Sequence, residues 1–329
     1  MQYFKQKDEK LVCLLCEHYC HLSPNQTGLC GVNKNTGSKI ECLVYGYVAA
    51  LNVDPIEKKP LYHFLPNSTS LSLGTVGCNF VCSFCQNWGI SQEKKIDKTN
   101  YLSPETIVKI ALEHKCQSIS YTYNEPTIFY PYAKDIAIEA QKVGIRNVFV
   151  SNGFESREVI EDMKGIIDAC NIDLKTFNAK YYKKLGGKLE VVLNNLKELK
   201  KQGIWLEVTT LVVPSKNDSQ EELEAMANFI SSELGKNTPW HLSAFTPNYK
   251  EQTLPRTSML CLQNAYDIGK KAGLNYVYVG NTQLQNSTNC TFCNTPVIIR
   301  ERFEVIENKI INGLCPKCHN KIEGVYDEN

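Results

Sequence analysis

Between residues 66 and 280 the chain alternates short apolar runs with longer stretches whose apolar side chains recur every three or four positions. The short runs suit strands buried on both faces, and the longer stretches suit amphipathic helices. Apolar runs at 71–76, 118–122, 147–150, 169–173, 205–212, 240–245 and 276–279 predict strands. Helical periodicity at 104–115, 130–143, 156–163, 188–202, 219–234 and 257–272 fills the intervals. Ser103 before Pro104 is a helix-start signal, and Gly144, Gly203 and Gly273 each stop a helix ahead of the next apolar run. Strand–helix repeats of this length imply parallel pairing through right-handed crossovers, hence an α/β fold. The pattern fits a doubly wound sheet almost as well as a barrel. Polar markers follow successive strands: Asn124-Glu125, Ser151-Asn152-Gly153 and Asp173-Leu174-Lys175. Polar residues at strand ends that face one mouth form a site in barrels.

A chain of 329 residues can bury a large core and hold one barrel plus appendages. Its 36 basic and 35 acidic side chains leave a formal charge of +1, which suggests neither a nucleic-acid nor a membrane partner. No apolar run approaches the roughly 18 residues of a membrane-spanning helix. The first ten residues lack the apolar segment of a secretory signal, so a cytoplasmic location is expected. Fifteen cysteines in such a chain argue for metal binding over a disulfide framework.

The cysteines fall into three groups. Cys78, Cys82 and Cys85 lie within eight residues, spaced x3 and x2, with Phe84 just before the last. Iron–sulfur cubanes are normally held by four thiolates, so a group of three leaves one iron open, as a catalytic metal needs. A closed site completed by a distant fourth ligand is the competing reading. Cys290-x2-Cys293 and Cys315-x2-Cys318 form matched pairs, the arrangement expected for a closed structural zinc site. Cys13, Cys16, Cys20 and Cys30 are spaced asymmetrically and offer four thiolates to zinc or to an auxiliary [4Fe-4S] cluster. His18 and His21 between them are surplus to a complete ligand set.

The Cys-x3-Cys-x2-Cys loop resembles the radical S-adenosylmethionine (SAM) superfamily. That resemblance implies a partial barrel of six βα units, a partial (β/α)6 barrel, over residues 66–280. Cysteine-rich metal-binding extensions at 1–65 and 281–329 flank it. It further implies that the open iron is chelated by SAM, whose reductive cleavage yields a 5'-deoxyadenosyl radical that abstracts hydrogen from substrate. The central region looks like the pyruvate formate-lyase activating enzymes. Carried over residue by residue, Glu125 and Asn124 meet the methionine ammonium, and Ser151 and Asn152 the carboxylate or ribose. Asp173 and Lys175 grip the zwitterion, His241 hydrogen-bonds near SAM, Phe84 shields the cluster, and Thr210 and Val212 line the cavity. Each has a plainer alternative. Glu125 suits a helix N-terminus, the Ser-Asn-Gly a capped turn, the Asp-Lys pair a surface salt bridge, and His241 the core.

Over nearly the whole chain the sequence resembles the AmmeMemoRadiSam-system radical SAM proteins. The strings that carry this include Cys13-Leu-Leu-Cys16-Glu-His18-Tyr-Cys20, Asp54-Pro-Ile-Glu-Lys-Lys-Pro-Leu-Tyr-His-Phe64 and Cys78 through Gln92. Glu17 stands where that family commonly has proline, and Asn25 and Asn67 where it commonly has glycine. The resemblance implies a low-potential electron donor such as flavodoxin or ferredoxin, and Memo-like and AMMECR-like proteins as partners. The expected function is hydrogen abstraction from a small-molecule or protein substrate. A glycyl-radical enzyme activase is the second reading, and a metal-stabilised protein-interaction module the non-enzyme one.

Overall fold

All seven apolar runs form strands, and these lie side by side in chain order. In the computed structural model, which describes residues 2–326, they are Thr69–Gly74, Ser118–Tyr121, Arg146–Ser151, Ala169–Asp173, Trp205–Val212, Trp240–Ala244 and Val277–Gly280. Every neighbouring pair among them is parallel. A doubly wound sheet reverses its strand order at a switch point, whereas this order never reverses, as a partial barrel requires.

The pattern missed one strand of this sheet. Ala50–Pro55 pairs antiparallel with Thr69–Gly74 and makes the sheet eight-stranded. Its sequence, Ala-Leu-Asn-Val-Asp-Pro, has no continuous apolar run, since as an edge strand it is buried mainly at Asp54. The N-terminal extension is therefore continuous with the sheet before residue 65.

Helices Pro104–Glu113, Tyr130–Gln141, Arg157–Met163, Leu189–Lys201, Gln220–Phe229 and Met259–Lys271 connect the parallel strands, with a shorter one, Ala179–Leu185, ahead of Leu189–Lys201. Ser103, Ser156, Ser219 and Ser258 each accept a hydrogen bond from the backbone N–H three residues on. Such caps contribute about 1 kcal/mol apiece. Asn25 and Asn67 adopt left-handed φ values of 66° and 71°, a conformation that asparagine tolerates and glycine takes without strain.

Residues 56–65 run across the inside of the barrel and form its floor. The Pro60 carbonyl accepts from Asn171 Nδ2 at 2.7 Å, and the Tyr62 and His63 N–H groups donate to the Glu207 carboxylate at 3.0 and 2.8 Å. The C-terminal extension, a three-stranded antiparallel sheet of Gln285–Asn289, Pro296–Glu301 and Glu304–Asn308, fastens onto this floor. Its Arg300, fully buried, donates to the Tyr62 carbonyl at 2.6 Å and lies 3.5 Å from Glu57. Val325 exchanges backbone hydrogen bonds with His63 and Leu65. The N-terminal extension docks through Leu15 and Glu17 onto the segment from Phe154 to Ser156. Among the described residues no helix is long and apolar enough to cross a membrane.

Candidate active site

Chain geometry places the three central cysteines at one mouth of the barrel. The strand Thr69–Gly74 ends there, and Gly77 turns the chain with φ 90°. A Cβ at Gly77 would meet the Cys30 carbonyl oxygen at 2.6 Å, so only glycine lets the N-terminal extension lie this close. Asn124 holds the turn from the next strand: its Nδ2 donates to the Gly77 carbonyl at 2.9 Å and its Oδ1 accepts from Thr75 N–H. Asn152 Nδ2 donates to Asn79 Oδ1 at 2.8 Å, and His18 Nε2 lies 2.9 Å from the Asn79 carbonyl, to which it donates. Three different elements thus fix the loop that carries Cys78, Cys82 and Cys85. Phe84 packs behind it, buried.

A cavity of about 500 Å3 opens beside these thiols. Cys78, Cys82, Phe84, Cys85, Asn124, Glu125, Ser151, Asn152, Asp173, Lys175 and His241 all reach it. Asp173 and Lys175 form a 2.8 Å ion pair at the end of Ala169–Asp173. Burial pushes the Cys82 thiol up to about 11, although the neighbouring Lys175 ammonium pulls it down.

Glu125 is more heavily engaged than its sequence position suggests. Its carboxylate accepts from Thr127 N–H and Oγ1, Ser151 Oγ and Asn152 N–H, at 2.7 to 3.0 Å. Ser151 Oγ and Thr127 Oγ1 also contact Glu155, so two buried carboxyls share two hydroxyls. Burial raises both above the usual carboxyl range, and for Glu155 the neighbouring Glu125 adds to it. One shared proton relieves the repulsion in such a pair.

Two sequence expectations are corrected by strand alternation. Thr210 and Val212 point away from the cavity toward the helices; Thr210 Oγ1 accepts from Trp240 Nε1 at 3.0 Å and lies against Met226 Sδ. Their neighbours Thr209 and Leu211 line the cavity instead. The sequence pattern also gave no role to Glu207, which has the same parity as Thr209. Fully buried, it accepts from Trp205 Nε1 at 3.0 Å and His241 Nε2 at 2.6 Å, besides the two floor N–H groups. A charged residue inside an otherwise apolar strand was the available signal.

The flanking cysteines differ in spacing. The Sγ atoms of Cys290, Cys293, Cys315 and Cys318 all lie within 4.8 Å of one another, with 3.5 Å between Cys290 and Cys318 and 3.6 Å between Cys293 and Cys315. Of the N-terminal four, Cys13 and Cys16 are buried and Cys20 and Cys30 partly exposed. They are not drawn together as tightly as the C-terminal four.

The Radical SAM superfamily model matches residues 72–230. An uncharacterized protein of Methanocaldococcus jannaschii is 40% identical over 98% of both chains. The benzylsuccinate synthase activating enzyme of Thauera aromatica is 28% identical over 34% of each. A radical SAM methyltransferase from Sphaerobacter thermophilus shares the fold, with TM-score 0.51 and 16% identity over 67% of this chain and 68% of that one. The chain belongs to the radical SAM superfamily. It is accordingly a radical SAM enzyme, with activating-enzyme-like relatives, and the family implies a [4Fe-4S] cluster and SAM.

The residues present fit both groups. Three thiols reach the cavity, and a cubane held by them would have one iron without a protein ligand from this loop. Thr209 Oγ1 is buried, lines the same space and has no hydrogen-bond partner, as expected of a group awaiting a ligand.

Proposed function

We propose that Cys78, Cys82 and Cys85 hold the catalytic cluster and that Asp173, Lys175 and Thr209 bind SAM beside it. The bound pair supplies a primary carbon radical able to take an unactivated hydrogen from substrate. The protein's part is to bind, orient and exclude water. Asp173 and Lys175 present opposite charges on one side of a strand end, suited to an amino-acid zwitterion. Asn124, Asn152 and His18 keep the cysteine loop in place. Glu125 organises the Ser151–Asn152 turn and His241 stands on Glu207, so both act at the cavity wall. The observation that carries this reading is the convergence of three thiols, an unpaired Thr209 hydroxyl and the Asp173–Lys175 pair on one cavity.

Anaerobic reconstitution, reduction and chromatography test it. SAM should be cleaved to 5'-deoxyadenosine; none, with the cluster shown to be reduced, rejects the assignment.

We further infer that electrons arrive from a flavodoxin or ferredoxin, and that the substrate belongs to a Memo-associated system. The support is the whole-chain resemblance. The similarity to the benzylsuccinate synthase activating enzyme favours a second reading, activation of a glycyl-radical enzyme. A glycyl radical detected by EPR in a co-incubated glycyl-radical enzyme separates the two.

The C-terminal four cysteines suit one zinc ion. Zn–S bonds of about 2.3 Å put tetrahedral ligands about 3.8 Å apart, near the separations found. The looser N-terminal set suits an auxiliary [4Fe-4S] cluster better than a single zinc ion.

Replacing Cys315 with serine tests the C-terminal assignment. Zinc content should drop and proteolysis of residues beyond 281 should quicken, because such metal binding is coupled to folding. SAM chemistry should also weaken, because Phe303 of this module lines the cavity and Arg300 braces its floor. Retained zinc with an unchanged cleavage pattern rejects the site.

A further inference from the structure

None of the SAM contacts proposed for Asp173, Lys175 and Thr209 involves the string from Asp54 to Phe64, which supplies the cavity floor. Glu57, Lys58, Lys59, Pro60 and Tyr62 all reach the cavity. Asp54 is buried and gathers three donors: Lys58 Nζ at 2.8 Å, Lys59 Nζ at 2.7 Å and Tyr123 Oη at 2.6 Å. Lys59 is 2% exposed and its ammonium lies 4.7 Å from the centre of the Tyr123 ring. Lys58 has 45% of its side chain exposed.

Burying a lysine is costly unless its charge is used. Desolvation lowers Lys59 to about 8, and the Asp54 carboxylate works against that shift. Tyr123 contributes from a left-handed backbone, φ 68°, an unfavourable conformation for a large side chain. Asn87 Nδ2 holds its carbonyl at 2.7 Å, and Asn52 Nδ2 its hydroxyl at 3.1 Å. Strain of this kind persists where surrounding contacts over-determine it, commonly at functional sites.

Charge balance indicates what the floor can take. Asp173 and Lys175 neutralise each other and Arg300 offsets Glu57, while the Glu125–Glu155 pair, sharing one proton, keeps a single negative charge that four donors to Glu125 already hold. Asp54 with two lysines leaves one positive charge, and each ammonium makes only one of its three possible hydrogen bonds to Asp54. Building on the radical SAM reading of this cavity, we propose that Lys58 and Lys59 form an anion subsite that anchors a carboxylate or phosphate group of the substrate.

The test uses reconstituted, reduced full-length protein, with S-adenosylhomocysteine occupying the SAM side so that Lys175 is not the anion site. The paramagnetic cluster broadens NMR lines of nuclei bound nearby, so 31P of inorganic phosphate and 13C of labelled acetate are titrated in separate arms. At least one arm should show saturable broadening, and which arm it is identifies the anion. Lys58→Gln should weaken that binding about tenfold, the scale of one charge-assisted hydrogen bond. Lys59→Gln should do so at least as strongly, with iron content and the cluster EPR signal checking that the fold survives. Because Lys58 is half-exposed, its variant keeps the test valid if the Lys59 variant fails to fold. A cluster signal and SAM cleavage in the wild type without saturable broadening in either arm overturns the subsite alone. Unchanged affinity in the Lys58 variant also overturns it. Absence of a catalytic cluster overturns the radical reading and the subsite with it.

Discussion

Cys82→Ala abolishes SAM cleavage, with a fall of more than about a thousandfold, the scale of losing a group on which the chemistry depends outright. Cys82 is the most deeply buried of the three loop thiols and lies beside Lys175, so no solvent-borne ligand replaces it easily. Two thiols on a loop cannot hold a cubane that three hold with one iron already open. The loop itself should stay in place, because Asn124, Asn152 and His18 grip Gly77 and Asn79 through contacts independent of the thiol. The metal proposed for Cys290, Cys293, Cys315 and Cys318 should remain at full occupancy, since that group of four shares no residue with the central loop. Iron and zinc analysis with Mössbauer spectroscopy checks this alongside 5'-deoxyadenosine formation. Retention of the catalytic cluster in the variant sinks the ligand assignment, and loss of every metal from a folded protein contradicts the independence of the sites.

The parts legible in the sequence are those set by local spacing. Seven apolar runs became seven strands because each is buried on both faces, and burial on both faces leaves a continuous hydrophobic signature. The cysteine loop was readable because its three cysteines lie within eight residues. Thr210 and Val212 went wrong by a single position: in a strand apolar on both faces, periodicity does not tell which parity faces the cavity. Alternation then exchanges the whole set for Thr209 and Leu211. The floor was invisible for a different reason. Its path is set by contacts distant in sequence, Pro60 to Asn171, Tyr62 and His63 to Glu207, and Arg300 to Tyr62. The string Asp54 to Phe64 marked the segment as distinctive without saying where it goes. His63 illustrates the point, since its imidazole bridges the Glu323 carbonyl and the Tyr278 hydroxyl, both at 2.6 Å, across more than two hundred residues of chain. With Nδ1 donating to the carbonyl, Nε2 is left to accept from the tyrosine.

Glu207→Gln lowers stability near pH 6 by about 3 kcal/mol, and the deficit shrinks as the solution is acidified. Burial pushes the Glu207 carboxyl up, but interactions led by the His241 hydrogen bond, with that from Trp205 Nε1, outweigh it and hold it at about 2, below its ordinary 4.5. A carboxyl depressed in the folded state stabilises fully above its unfolded pKa and stops doing so as pH falls through its folded value. The window is therefore between about pH 4.5 and 2, and for a group as enclosed as this one every tenfold loss of proton affinity on folding contributes about 1.4 kcal/mol. Glu57, Glu125 and Glu155 move the other way through burial, so the wild-type acid profile mixes both signs. The difference between wild type and variant removes that background. Glutamine keeps the volume but turns one acceptor oxygen, which meets two donors, into a donor itself, so the pH-independent part of the difference reports lost hydrogen bonds and the part that changes with pH reports the charge. Denaturant midpoints at pH 6, 4 and 3 give the comparison. A wild-type-to-variant difference that is flat across that range means Glu207 serves only as a neutral hydrogen-bond acceptor, and its charge then has no part in seating the floor or His241.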